Sequence, residues 1–159
     1  MARIVKIEGF NEINLTNSVG KKGVNNSADV MVVQAMLKYA VEKNPYFAYT
    51  NFFPVPDGNM EEETLLNIKT FQMFVREKLN NRVSVDGRID PAKGLFVSAC
   101  KPGGRQRLTW TIGQLNGACL EAPFLRGKDN YIADVCKAFP QAKRALGRTS
   151  ARNLSLAMA

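Results

Sequence analysis

Histidine is absent from the 159-residue chain. That removes Ser-His-Asp and Cys-His nucleophilic schemes, His-Glu-x-x-His metal sites and the histidine-bearing zinc centres typical of wall peptidases. A two-carboxylate glycosidase needs no histidine. However, the acidic cluster Glu61-Glu62-Glu63 suits the positive end of a helix, and nothing sets a second carboxylate across a cleft from it. The chain therefore reads as a non-enzyme without a metal or cofactor. No apolar run reaches the roughly 18 residues that suggest a membrane span. Residues 1–10 lack the apolar core of a secretory signal, so the expected location is the cytoplasm, or outside it by a signal-independent route. Cysteine is scarce: Cys100, Cys119 and Cys136 are odd in number and lack Cys-x-x-Cys spacing, so zinc and redox motifs are not indicated. Buried thiols are expected, with one disulfide plus one free thiol as the alternative.

What remains supports a folded domain. Apolar residues make up 45% of the chain, enough for a core, and the length suits one domain with an appendage. The formal net charge of +8 favours anionic partners or simply solubility, and no helix-turn-helix, RNA-binding motif or zinc finger adds specific nucleic-acid binding to it. The strongest local pattern starts at Asn25-Asn26-Ser27-Ala28-Asp29. Asn26 or Ser27 can cap a helix, and Asp29 sits well in its first turn. Val30, Val33, Leu37 and Val41 then fall on one helical face, with Gln34 beside them. A second helix repeats the arrangement: Glu62-Glu63-Thr64-Leu65 leads into Ile68, Phe71, Gln72, Phe74 and Val75. The turn dipeptides Asp57-Gly58 and Asp86-Gly87 bracket it.

This ordered series, N-x-x-x-D-V-x-x-V-Q-x-M-L from Asn25, D-G at Asp57, T-x-x-x-I-x-x-F-Q from Thr64 and D-G-R-I-D-P from Asp86, resembles the peptidoglycan-binding-domain family. It covers roughly residues 17–116. The family's D-G-x-x-G-x-x-T is altered here, since Glu61 stands where a second glycine is usual, while Thr64 keeps its place. The resemblance implies a mainly α fold: a compact three-helix bundle with irregular loops and an added C-terminal helix. It further implies non-catalytic recognition of peptidoglycan or a related glycopeptide by a standalone binding or adaptor module, with a partner hydrolase or a phage or secretion-system protein nearby. The first two helices would wall a shallow groove. Asn25, Gln34 and Gln72 would offer amide hydrogen bonds, and Asp57 and Asp86 join them as candidate ligand-binding residues. The same amides are equally explained as hydrogen bonds inside the bundle.

Around this centre the chain divides into an extended lead-in, with a short strand at Ile4 to Ile7, over 1–16, the similar region over 17–116 and an extension over 117–159. Ser18 to Asn25 is a turn-rich entry, a structural loop rather than a phosphate-binding one. Residues 44–57 form a proline-broken loop carrying Tyr46, Phe47, Tyr49, Phe52 and Phe53. These rings, Tyr46, Tyr49 and Phe52 above all, either stack on a saccharide or cover the seam between the two helices. An insert at 92–108 delays the third helix, Thr111 to Asn116, and carries a basic glycine turn that is a solvated tip or a ligand-facing loop. Asp129 to Leu146 has the spacing of an amphipathic helix that Pro140 should kink or break. Its basic residues, Lys137, Lys143, Arg144, Arg148 and Arg152, make a protein partner of the C-terminal region the alternative function.

Overall fold

The computed structural model describes residues 2–7, 10–47, 53–93, 109–120 and 131–146. Among them the protein is mainly helical. Two strands, β1 (Arg3–Ile7) and β2 (Phe10–Asn14), pair antiparallel with Arg3 opposite Asn14 and Val5 opposite Glu12. A two-residue strand β3 (Val19–Gly20) leads to helix α1 (Ser27–Lys43), a 3-10 turn at Pro45–Phe47 and helix α2 (Glu62–Glu77). The two-residue β4 (Arg88–Ile89) pairs antiparallel with β3, and helices α3 (Thr111–Leu120), α4 (Tyr131–Ala138) and α5 (Pro140–Ala145) follow.

Helix α1 starts where Asn26 Oδ1 accepts from the Ala28 N–H at 3.0 Å, a side-chain cap on one of the four amides a helix start leaves open. The buried carboxylate of Asp29 turns back and accepts from the N–H groups of Thr16 and Asn17 at 3.3 and 3.1 Å. Val30, Val33 and Leu37 are buried as their spacing predicts, while Val41 is half-buried. Val32, Ala35, Met36, Tyr39 and Ala40 are buried as well. The helix is covered nearly all round, as a central helix is, because α2, α3, α4 and α5 all pack on it.

Helix α2 is amphipathic. Ile68, Phe71 and Val75 face inward, Leu65 is half-buried, and Leu66 and Met73 are exposed. Phe71 stacks on Phe47 with ring centroids 5.4 Å apart, so the first part of the aromatic loop packs on α2, while Phe53 is exposed. Its Tyr49 and Phe52 lie outside the described residues, as do Cys100 and most of the 92–108 insert.

The lead-in differs in detail from its expectation, and the C-terminal stretch takes the broken form that Pro140 predicts. The extended lead-in is a hairpin built into the core: Ile4, Ile13 and Leu15 are buried, and Asn116 on α3 clamps Ile13 by accepting from its N–H at 2.8 Å and donating to its carbonyl at 2.7 Å. The C-terminal helix is two. Phe139 leaves the helical region at φ −131°, and Pro140 restarts the chain in the first turn of α5, where a missing N–H costs nothing. Ile132, Val135, Cys136, Ala142 and Leu146 are buried, so this stretch shares the core. Cys119 and Cys136 are buried thiols, the former donating to the Met36 carbonyl at 3.4 Å. Among the described residues no helix is long and apolar enough to cross a membrane.

Candidate functional site

The two Asp-Gly turns are held by the same device, used twice. In the first, the Gln34 Oε1 accepts from the N–H groups of Asp57 and Gly58 at 3.1 and 2.8 Å. Its Nε2 lies 3.1 Å from Asp57 Oδ1, 3.0 Å from the Asn59 carbonyl and 2.9 Å from Thr64 Oγ1. In the second, the Gln72 Oε1 accepts from Gly87 N–H at 2.8 Å, and its Nε2 lies 3.1 Å from Asp86 Oδ1, 2.9 Å from the Arg88 carbonyl and 3.1 Å from Thr111 Oγ1. Each aspartate also accepts from the N–H two residues on, Asn59 or Arg88, closing an Asx turn. The glycines adopt φ of +78° and +73°. Each clasp therefore ties a helix glutamine to the turn that follows and to the threonine in the first turn of the next helix.

The glutamine side chains are buried and three acceptors surround the two hydrogens of each amide. Of the two readings the residues allowed, the hydrogen bonds realise the internal one. Gln34 and Gln72 do not wall an open groove. Asn25 is likewise internal: at φ +57° its side chain accepts from Gly20 N–H at 2.7 Å and donates toward the carbonyls of Gly20 and Gly23. Gly20 itself, at φ +118°, lies so close to the Gly87 backbone that a Cβ would collide with the carbonyl. Tyr46 is half-buried against the core. Asp57 and Asp86 are exposed and keep one carboxylate oxygen each in their clasps.

A pocket of ≈ 210 Å³ opens beside the second clasp. Ser84 and Asp86 reach it from the segment after α2, Arg88 and Asp90 from β4 and its end, and Thr109, Trp110 and Thr111 from the start of α3. Arg88 forms a forked ion pair with Asp90, Nε to Oδ1 at 2.9 Å and Nη2 to Oδ2 at 3.3 Å, and Ser18 Oγ donates to Asp90 Oδ1 at 2.7 Å. The hydrogen bond and charge of Asp90 raise the Arg88 pKa, so the guanidinium stays charged. Thr109 donates through both N–H and Oγ1 to the Arg82 carbonyl at 2.8 Å, and Gln114 N–H donates to the Trp110 carbonyl at 3.1 Å. These bonds fix the backbone on both sides of a half-buried indole.

Among the described residues, Asp86 Oδ2, the Trp110 indole N–H and the Ser84 hydroxyl have no hydrogen-bond partner, although all three residues line the pocket. Residues that carry an acceptor, a donor and a flat ring thus line one concavity. That combination suits a ring-bearing polar ligand, since an indole covers C–H faces and offers one polar atom. Of the described candidates read from the sequence, Asp86 alone lines the pocket. Trp110, Ser84 and Thr109 carried no motif. The usable signal was Trp110 as the chain's single tryptophan, directly before a helix start. No group of three or more candidate metal ligands occurs among the described residues. The chain has no match among protein-family models, curated proteins or solved structures.

Proposed function

We propose that this protein is a non-catalytic module that recognises peptidoglycan or a related glycopeptide, and that the recognition occurs in the pocket at the start of α3. The observation that carries it is the pocket's lining by Trp110, Asp86 and Ser84, with Asp86 Oδ2 and the Ser84 hydroxyl unpartnered among the described residues. At ≈ 210 Å³ the pocket lies below the roughly 300–1,000 Å³ of drug-sized sites, which suits one sugar ring or one peptide side chain. The collinear motif supports the same reading. Its glutamine, Asp-Gly and threonine positions make two matching clasps that join α1 to α2 and α2 to α3. The absence of histidine supports binding without turnover. As a standalone module it would serve as an adaptor, with chemistry supplied by a partner.

The test is co-sedimentation with purified insoluble peptidoglycan, using chitin and DNA-cellulose as controls. A chain of charge +8 adheres to any polyanion, so the assay is run at roughly half-molar salt, where the Debye length is only about 4–5 Å. Retention on the wall that survives this salt and is lost in Trp110→Ala, with an unchanged circular dichroism spectrum, is the expected outcome. Retention that salt abolishes and Trp110→Ala does not affect would refute it. In that case, the exposed Lys137, Lys143 and Arg144 of the C-terminal helices make a protein partner the better reading.

A further inference from the structure

The pocket's charges are not equally available. Arg88 and Asp90 neutralise one another through two hydrogen bonds, and Asp90 is further engaged by Ser18. Among the described residues the carboxylate of Asp86 forms no ion pair, although its charge adds to that of Asp90 in raising the Arg88 pKa. Its Oδ1 accepts from a neutral amide side chain and a backbone N–H, and its Oδ2 has no partner among the described residues. With two aspartates and one arginine, the lining therefore carries one net negative charge in a protein whose overall charge is +8. Lys21 binds the neighbouring Gly87 carbonyl through its backbone N–H at 2.9 Å but is not among the lining residues. The one aromatic surface in the lining is the indole of Trp110, the side chain whose face attracts cations best.

From this we propose that the pocket selects a ligand bearing an ammonium group, taken between the Asp86 carboxylate and the Trp110 ring, and that it rejects phosphate and carboxylate groups. The inference rests on the wall-binding reading and sharpens it. Within a glycopeptide the ammonium belongs either to an unacetylated amino sugar or to a free amine of the stem peptide. The long-range field of the protein opposes such a ligand, so a preference for it must originate in the pocket.

Trp110 is the only tryptophan, so its fluorescence reports binding at this place. The intact chain is titrated with a glucosamine tetramer and an N-acetylglucosamine tetramer at pH 6, and with a disaccharide-peptide carrying a free side-chain amine and its acetylated form. One or both amine-bearing members should bind about tenfold more tightly than the acetylated partner, and the pair that shows the difference identifies the source of the amine. Asp86→Asn keeps the Oδ1 that receives Gln72 and Arg88 and removes only the charge; it should erase the preference, bringing the amine-bearing and acetylated members to within about twofold of each other. Equal or tighter binding of the acetylated members overturns the ammonium assignment, yet leaves wall recognition standing if wild-type chain still sediments with peptidoglycan at high salt. No response to any of the four overturns the assignment, and loss of sedimentation as well overturns the reading beneath it. The wild-type comparison needs no variant, so a misfolded Asp86→Asn protein would not blunt the test.

Discussion

Gln72→Glu replaces one amide nitrogen by oxygen and leaves the volume of the side chain unchanged. Gln72 is fully buried, and the replaced nitrogen lies 3.1 Å from Asp86 Oδ1, 2.9 Å from the Arg88 carbonyl and 3.1 Å from Thr111 Oγ1. Thr111 can turn its hydroxyl to donate, but the other two are acceptors only. The variant loses two hydrogen bonds worth about 1 kcal/mol each and sets an acceptor against two acceptors, with about 1–3 kcal/mol more for polar groups left unsatisfied. The total is about 3–5 kcal/mol, a large part of the roughly 5–15 kcal/mol that holds a domain folded. Urea unfolding of both proteins at pH 7 measures it. The introduced carboxyl is expected to titrate above its unfolded value, because burial and neighbouring acceptors disfavour its charge. Native protein then binds the proton more tightly than unfolded protein, and the deficit should shrink as pH falls toward 4. A deficit below about 1 kcal/mol at pH 7, unchanged at pH 4, would refute the clasp and return Gln72 to an exposed groove.

Three further outcomes are expected. Phe71→Ala should cost about 3–5 kcal/mol in urea unfolding, since the ring is fully buried and stacked on Phe47; a loss near zero would contradict the α1–α2 packing. Glu12 on β2 is buried with Oε2 unpartnered, and burial raises its pKa from 4.5 to about 7. Its proton is bound more tightly in the folded state, so its contribution to stability is full below pH 4.5 and is lost as pH rises through about 7. Glu12→Met should consequently be more stable than wild type at pH 8 and differ little from it at pH 4, a difference that paired thermal or urea unfolding reads directly. Purified chain incubated with peptidoglycan should release neither reducing ends nor free amines, and turnover that disappears on Glu62→Gln would promote the glycosidase reading instead.

Helix α1 and helix α2 were legible from apolar spacing, and Pro140 marked the C-terminal break, because these features are written within a turn or two of chain. The burial of α1 on its far side was not, since α4 and α5, distant in sequence, supply the cover. Glu12 shows the same limit: the run Phe10-Asn11-Glu12-Ile13-Asn14 has strand-like alternation only in part, and both Glu12 and Ile13 are buried, as occurs when a strand is covered from both sides. The glutamines were visible as polar residues beside apolar stripes. Which way their amides point depends on where Asp57-Gly58 and Asp86-Gly87 fold back, a tertiary fact. The pocket was least legible, because Asp86 and Trp110 come to line one pocket only through the pairing of β3 with β4 and the docking of α3 on the second clasp.

The central claim is that a wall fragment occupies the pocket at Trp110. The most direct measurement is the fluorescence of that single tryptophan during titration with a soluble disaccharide-peptide released from peptidoglycan, at roughly half-molar salt. A saturable change in emission, with the same midpoint as the ligand's displacement of the protein from insoluble wall, is the expected result. Emission that stays constant while the fragment still displaces the protein from the wall would contradict it, because binding would then occur away from Trp110.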